Sequence, residues 1–139
     1  MLKFMLDTNI AIYIIKNRPV ELADIFNKNA GTLCISTITL AELNHGVEKS
    51  SQPERNRRNV DDFFSRLELL PYDDTAASHY GEIRADLEKK GSPTGVNDLH
   101  IAGHARNRSL VLVTKNTGEF KRVEGLRIED WSLGKSSKK

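Results

Sequence analysis

Four acidic residues, Asp7, Glu42, Asp98 and Glu119, stand at or just beyond the ends of short apolar or turn segments. In "KFMLDTNI", Asp7 ends an apolar run and precedes Thr8 and Asn9. Glu42 falls six residues after the apolar "TLCIS", within "STITLAELNHG", and Asp98 follows the turn "GSPTG". Glu119 lies in "LVTKNTGEF", just past Thr114 and beside Asn116. Each acid has a purely structural alternative. Asp7 can cap a helix, Glu42 can be solvated, Asp98 can sit favourably on a helix dipole, and Glu119 can be a loop surface charge. Asp98 nevertheless shares a helical face with Ile101, Ala102 and Ala105, the face that packs inward. If the fold delivers these carboxylates to one rim, each raises the pKa of its neighbours unless a cation neutralises them. Carboxylates with a hydroxyl and an amide form a hard oxygen set, which favours Mg²⁺ or Mn²⁺ over zinc.

The elements that must do this positioning are legible in outline. Apolar runs of strand length occur at Lys3–Leu6, Thr32–Ser36, Leu67–Leu70 and Leu110–Thr114, with a weaker one near Leu126–Ile128. Between them lie stretches of helical period: Ile10, Ile14 and Ile15; Leu22, Ile25 and Phe26 after Pro19; Val60, Phe63, Phe64 and Leu67 after "PERN"; and Ala76, Tyr80, Ile83 and Leu87, stopping at Gly91. Ser36 or Thr37 can cap the helix holding Glu42, and Asn97 can cap the helix "DLHIAGHA". Short buried strands alternating with helices imply parallel βαβ units. The expected architecture is a three-layer α/β/α sandwich with a four- to five-stranded, mainly parallel sheet. In such sheets the functional crevice lies at the carboxyl ends of the strands, where strand order reverses, which is where Asp7 falls.

With 139 residues there is length for one core, so residues 1–132 are expected to form one domain and residues 133–139, "LGKSSKK", a basic disordered tail. The formal charge of +2, from 21 basic and 19 acidic residues, is too small by itself to identify a nucleic-acid binder. The only cysteine, Cys34, cannot form an internal disulfide and reads as a small buried side chain. No membrane span or secretory signal is read, so a cytoplasmic location is expected. His100 and His104 have the spacing of zinc ligands, but Asp98 lies about 200° of helix rotation from His100, so the histidines should face away from the acids. His45 and His79 read as structural or exposed. Trp131, Tyr80, Phe63 and Phe64 read as packing residues.

"MLDTNI", "TLAEL", "GVNDLHIAGHA" and "VTKNTGEF", in this order and spacing, resemble the four motifs of PIN-domain ribonucleases, and most of all VapC toxins of bacterial toxin–antitoxin pairs. The resemblance runs from Met1 to about Trp131. It implies that Asp7, Glu42, Asp98 and Glu119 are the catalytic acids, with Thr8, Asn9, Thr114 and Asn116 in support. Asp7, Glu42 and Asp98 would hold Mg²⁺, or Mn²⁺ in its place, and Glu119 would orient the attacking water or complete a second site. Asn116 stands where many PIN domains carry an acid, which weakens a second metal site. Attack by water in place of an RNA 2′-hydroxyl would leave a 5′-phosphate and a 3′-hydroxyl. The resemblance further implies a structured RNA substrate, tRNA foremost and the anticodon loop of initiator tRNA within it, and arrest of translation. Lys115, Lys121 and Arg122, near Glu119, would hold phosphates. A VapB-type antitoxin would cover the crevice and bind operator DNA through its other end, and a homodimer and a toxin–antitoxin hetero-oligomer are expected.

Two other classes fit parts of the chain. A phospho-receiver domain also gathers acids around Mg²⁺ at strand ends, but it needs an adjacent acid pair after the first strand and an aspartate after the third. Here Asp7 is followed by Thr8 and Asn9, and the third strand offers only Asp73 in "PYDD"; Lys115 alone favours that reading. A binding module without catalysis would not need the acid set. Within the nuclease reading, DNA is the rival substrate.

Overall fold

The computed structural model describes residues 1–16, 20–92 and 94–131. Five parallel strands form one sheet: β1 (Phe4–Leu6), β2 (Leu33–Ser36), β3 (Glu68–Leu70), β4 (Val111–Val113) and β5 (Ile128–Glu129), in the order β3-β2-β1-β4-β5. The register pairs Met5 with both Cys34 and Leu112, Ile35 with Leu69, and Val113 with Glu129. All five apolar runs are therefore strands. Each is shorter than the run that marks it, except that β5 is displaced toward the C-terminus.

Period-two alternation sorts the strand residues between two cores, which is why the structure has three layers. Leu6, Leu33, Ile35 and Val113 face one side, against α1 (Thr8–Ile15), α2 (Val20–Lys28), α3 (Thr37–Glu48) and α4 (Pro53–Phe64). Met5, Cys34, Leu70 and Leu112 face the other, against α5 (Asp74–Lys89) and α6 (Val96–Asn107). A four-residue helix, α7 (Thr117–Phe120), follows β4 and anchors Phe120 in this second core. Cys34 is fully buried, and burial pushes its thiol up to about 12, as expected for an inert packing residue.

Several helix ends match the sequence reading, and others correct it. Ser36 caps α3, its hydroxyl accepting from Ile38 N at 3.0 Å. Beyond α5, Gly91 adopts φ +69°, and the Ser92 N–H reaches back to Leu87 O at 2.9 Å. That left-handed residue ends the helix at a position glycine occupies without a Cβ penalty. α4 ends at Phe64, so Leu67 is not on its face; it packs from the following turn against the same core. Gly95, not Asn97, is the residue before α6, and Asn97 lies within the first turn. Pro19, the expected helix start, and the tail 133–139 lie outside the described residues.

Topology carries the functional consequence. The chain winds from β1 through β2 to β3 on one side, then returns to place β4 and β5 on the other side of β1. Strand order thus reverses between β1 and β4, and a crevice opens at their carboxyl ends. Helices that follow a strand start at that rim. α6 precedes β4 and runs opposite to it, so its first turn also lies there.

Candidate active site

Every sequence-marked acid reaches this rim. Asp7 directly follows β1, Glu42 is in the second turn of α3, Asp98 is in the first turn of α6, and Glu119 is on α7 just after β4. Their electrostatic coupling shows the convergence. Burial, then the charges of Asp7, Glu119 and Glu42, push the Asp98 carboxyl up to about 6. Asp7 is 2% exposed, and burial likewise raises it. The Thr114 hydroxyl and the Ile10 N–H, both donating to Asp7, pull it back down, while Glu42 and Asp130 add upward pressure.

Asp7 is at once a helix cap and a site acid, since its Oδ1 accepts from Ile10 N at 2.9 Å. The cap locks the side chain in place and leaves lone pairs free for another ligand. Thr8, next in sequence, donates its hydroxyl to Glu42 Oε1 and lies 3.3 Å from the buried hydroxyl of Thr39. From the other side, Asn97 Nδ2 donates to Glu42 Oε2 at 2.9 Å. Both oxygens of Glu42 are therefore held, one by α1 and one by α6. Thr114 is fully buried; besides serving Asp7, its hydroxyl accepts from Asn116 N at 3.0 Å, which fixes the turn into α7 and Glu119. Asn9 is exposed, and the structure gives its side chain no contact with the acids.

Sequence reasoning misses two members of this neighbourhood. Asn97 reads as a cap, and only the approach of α6 to α3 gives its amide another partner. Asp130 follows β5 as Asp7 follows β1, so the acid-after-a-strand pattern in "LRIED" is the signal that marks it.

The donors on the rim are carboxylates, hydroxyls and an amide, the hard oxygen set that fits Mg²⁺ or Mn²⁺. Among the described residues no three His, Cys, Asp or Glu side chains stand close enough together to grip an ion as they are. The acids share an electrostatic neighbourhood, and mutual repulsion opposes closer approach in the absence of a cation.

The histidines stay clear of it. His104 is fully buried with Nδ1 2.8 Å from Ser36 Oγ, and burial lowers its pKa, keeping it neutral. His100 stacks on Tyr80 with ring centroids 4.0 Å apart and contacts the Tyr72 hydroxyl at 2.7 Å. His79 accepts from Arg106 Nε at 2.9 Å, and His45 is exposed. Trp131 and Phe63 are buried, while Tyr80 and Phe64 are half-buried packing residues. Asp73 caps α5 by accepting from Ala76 N at 2.9 Å beyond the edge strand β3, away from the β1/β4 crevice, which disposes of the receiver-domain reading. Lys115, Lys121 and Arg122 are exposed beside α7. On the other flank of the rim, a groove of about 630 Å³ between α1, α3 and α4 reaches Glu42, with Ile12, Ile15, Leu43, Val47 and Val60 as its apolar lining and Lys16 and Arg55 among its polar residues. Among the described residues no helix is long and apolar enough to cross a membrane.

Residues 4–126 match the PIN domain family. The chain is 57% identical over 132 residues to the tRNA(fMet)-specific endonuclease VapC of Shigella flexneri, covering 95% of this chain and all of that one. It is 55% identical over 131 residues to ribonuclease VapC2 of Haemophilus influenzae, covering 94% of this chain and 99% of that one. Among solved structures it is similar to the DNA-bound VapBC complex of Salmonella typhimurium, with a TM-score of 0.91 and 57% identity over 94% of this chain and 99% of that one.

Proposed function

The chain belongs to the PIN-domain family and, within it, to the VapC ribonucleases, and from that premise we propose that it is a metal-dependent endoribonuclease toxin that cuts initiator tRNA and so arrests translation in the cytoplasm. One observation supports the chemistry above the rest: carboxylates from four separate segments line the strand-order reversal, where burial and then the neighbouring charges push Asp98 up to about 6. Such a charge cluster is costly unless a cation or a substrate-bound ion offsets it.

Asp7, Glu42 and Asp98 would hold the ion. Mg²⁺ or Mn²⁺ there would acidify water and offset charge on the scissile phosphate. The protein's own contribution is positioning: Thr8 and Asn97 orient Glu42, Thr114 orients Asp7 and the turn bearing Asn116, and Glu119 accepts a proton from the attacking water or orients it. Hydrolysis by water leaves a 5′-phosphate and a 3′-hydroxyl. Lys121 and Arg122 would hold flanking phosphates of the tRNA.

The choice of tRNA rests on the relative from Shigella flexneri, named for action on tRNA(fMet). The partner rests on the solved VapBC complex of Salmonella typhimurium, which is bound to DNA. A VapB-type antitoxin would lay an apolar segment in the groove beside Glu42 and carry the DNA-binding function, within a hetero-oligomer built on a VapC homodimer.

The test is incubation of the purified protein with total tRNA, with Mg²⁺ or with EDTA, followed by end analysis of the fragments. Mg²⁺-dependent fragments of initiator tRNA with 5′-phosphates, absent with Asp98→Asn, are expected. Cleavage of DNA in preference to RNA, or fragments ending in cyclic phosphates, would overturn this function.

A further inference from the structure

α1 presents three different faces. With 100° between successive residues, Ile10, Ala11 and Ile14 face the core, while Ile12 and Ile15 face the groove beside α3. Tyr13 falls on the remaining flank, toward β4, one helical turn beyond Asn9. There it meets Lys115, the first exposed residue after the buried Thr114. The Lys115 ammonium donates to the Tyr13 hydroxyl at 3.2 Å and lies 5.3 Å from the ring centroid. These residues are 102 apart in sequence and join the two strands that frame the crevice.

Two features make the pair more than packing. Among the described residues Arg57, Arg66, Arg84, Lys90 and Arg106 form ion pairs with carboxylates, while other cations such as Lys121 and Arg122 do not. Lys115, although next to an acid-rich rim, makes none among the described residues, and its ammonium is held by a phenol instead. Tyr13 is half-buried, anchored by its helix and still open to solvent at the rim. It lies six residues from Asp7, about 9 Å along the helix axis. A strand cut at the acids would place a flanking nucleotide within its reach.

We propose that Tyr13 and Lys115 form a nucleotide clamp beside the acids, in which the tyrosine ring stacks on an unpaired base flanking the scissile bond and the lysine binds the adjoining phosphate. The clamp deepens the ribonuclease reading and rests on it. Unstacked loop bases are what proteins read in RNA, an aromatic face accepts any base, and a lysine adds one phosphate contact. Tyr13 and Lys115 thereby select looped over duplex RNA at the cutting site. Base identity is left to other contacts.

The test is equilibrium binding of an end-labelled initiator tRNA transcript to protein carrying Asp98→Asn, with circular dichroism to verify folding. Tyr13→Leu, which keeps apolar bulk, is expected to weaken binding about tenfold, and Tyr13→Phe to stay within about twofold. Lys115→Met is expected to reduce the slope of log affinity against log salt by about one. Unchanged binding with Tyr13→Leu, equal losses with Leu and Phe, an unchanged salt slope, or no tRNA binding at all would overturn the clamp. Parallel cleavage assays with the Asp98 form separate the two readings. Cleavage that persists while Tyr13→Leu binds normally removes the clamp alone; no cleavage, with binding still lost in Tyr13→Leu, removes the nuclease reading alone.

Discussion

The side-chain amide of Asn97 donates to Glu42 Oε2 at 2.9 Å, joining the first turn of α6 to the second turn of α3 across 55 residues of sequence. The same first turn carries Asp98, so this bond sets the separation of two acids. Asn97 is exposed, so its loss leaves no cavity. Asn97→Ala should lower kcat/KM about 10- to 100-fold, in the range usual for groups that orient a metal ligand. The thermal midpoint should be nearly unchanged. Cleavage kinetics beside a melting curve check both.

Asp98 should make the cation-free protein less stable at neutral than at mildly acidic pH. Its ordinary value of 3.8 holds in the unfolded chain, whereas the folded carboxyl is raised to about 6. Its contribution is fully present below the unfolded value and is lost as pH rises through about 6, and Asp7 shifts in the same direction. Asp98→Asn removes this penalty. Without metal, the variant should gain about 1–2 kcal/mol over wild type at pH 7, discounted for solvent screening, and lose that advantage toward pH 4. Chemical denaturation of both proteins across that range measures the difference, in which titrating groups remote from the acid cluster cancel.

Removing the divalent ion should have the opposite structural effect to removing Asp98. An ion at 100 times its dissociation constant stabilises the folded state by about 2.7 kcal/mol. Mg²⁺ should therefore raise the melting midpoint of the wild type, and EDTA should reverse the rise. In Asp98→Asn the Mg²⁺ response should shrink. Equal responses in the two proteins would place the ion elsewhere.

Gly103 holds α6 against α5. A Cβ there would stand 2.9 Å from Tyr80 N and 3.1 Å from Ala76 O, both backbone atoms of α5 that cannot rotate aside. Gly→Ala within a helix ordinarily gains up to about 1 kcal/mol. Here the forced separation should win, and Gly103→Ala should destabilise by about 1–3 kcal/mol. Because α6 also carries Asp98, cleavage should fall as well. A Cβ on Gly46, in α3, would meet nothing within 4 Å, so Gly46→Ala is the control and should be neutral or stabilising.

Much of the site is legible because its acids punctuate the chain. Asp7 ends an apolar run, Asp98 interrupts an inward helical face, and both patterns are local. Asp130 follows the same rule, although β5 is only two residues long and its apolar signal is weak. Asn97 reads as a cap because asparagine near a helix start usually is one; Gly95 takes the position before the helix, and Glu42 takes the amide. Tyr13 carries no signal, since an aromatic residue on an amphipathic helix looks the same whether it meets the core or a lysine from a distant loop.

By itself, the sequence determined the three-layer α/β class and the strand and helix segments, and it marked four candidate acids at their ends, because alternation, helical period and turn residues act over a few neighbours. Only the tertiary structure decided the strand order β3-β2-β1-β4-β5, and with it which strand ends flank the crevice. It also decided that both oxygens of Glu42 are held by different helices and that Lys115 meets Tyr13. Those pairings join residues 34 to 102 positions apart. No local propensity encodes such separations; they follow from burying both faces of the sheet at once.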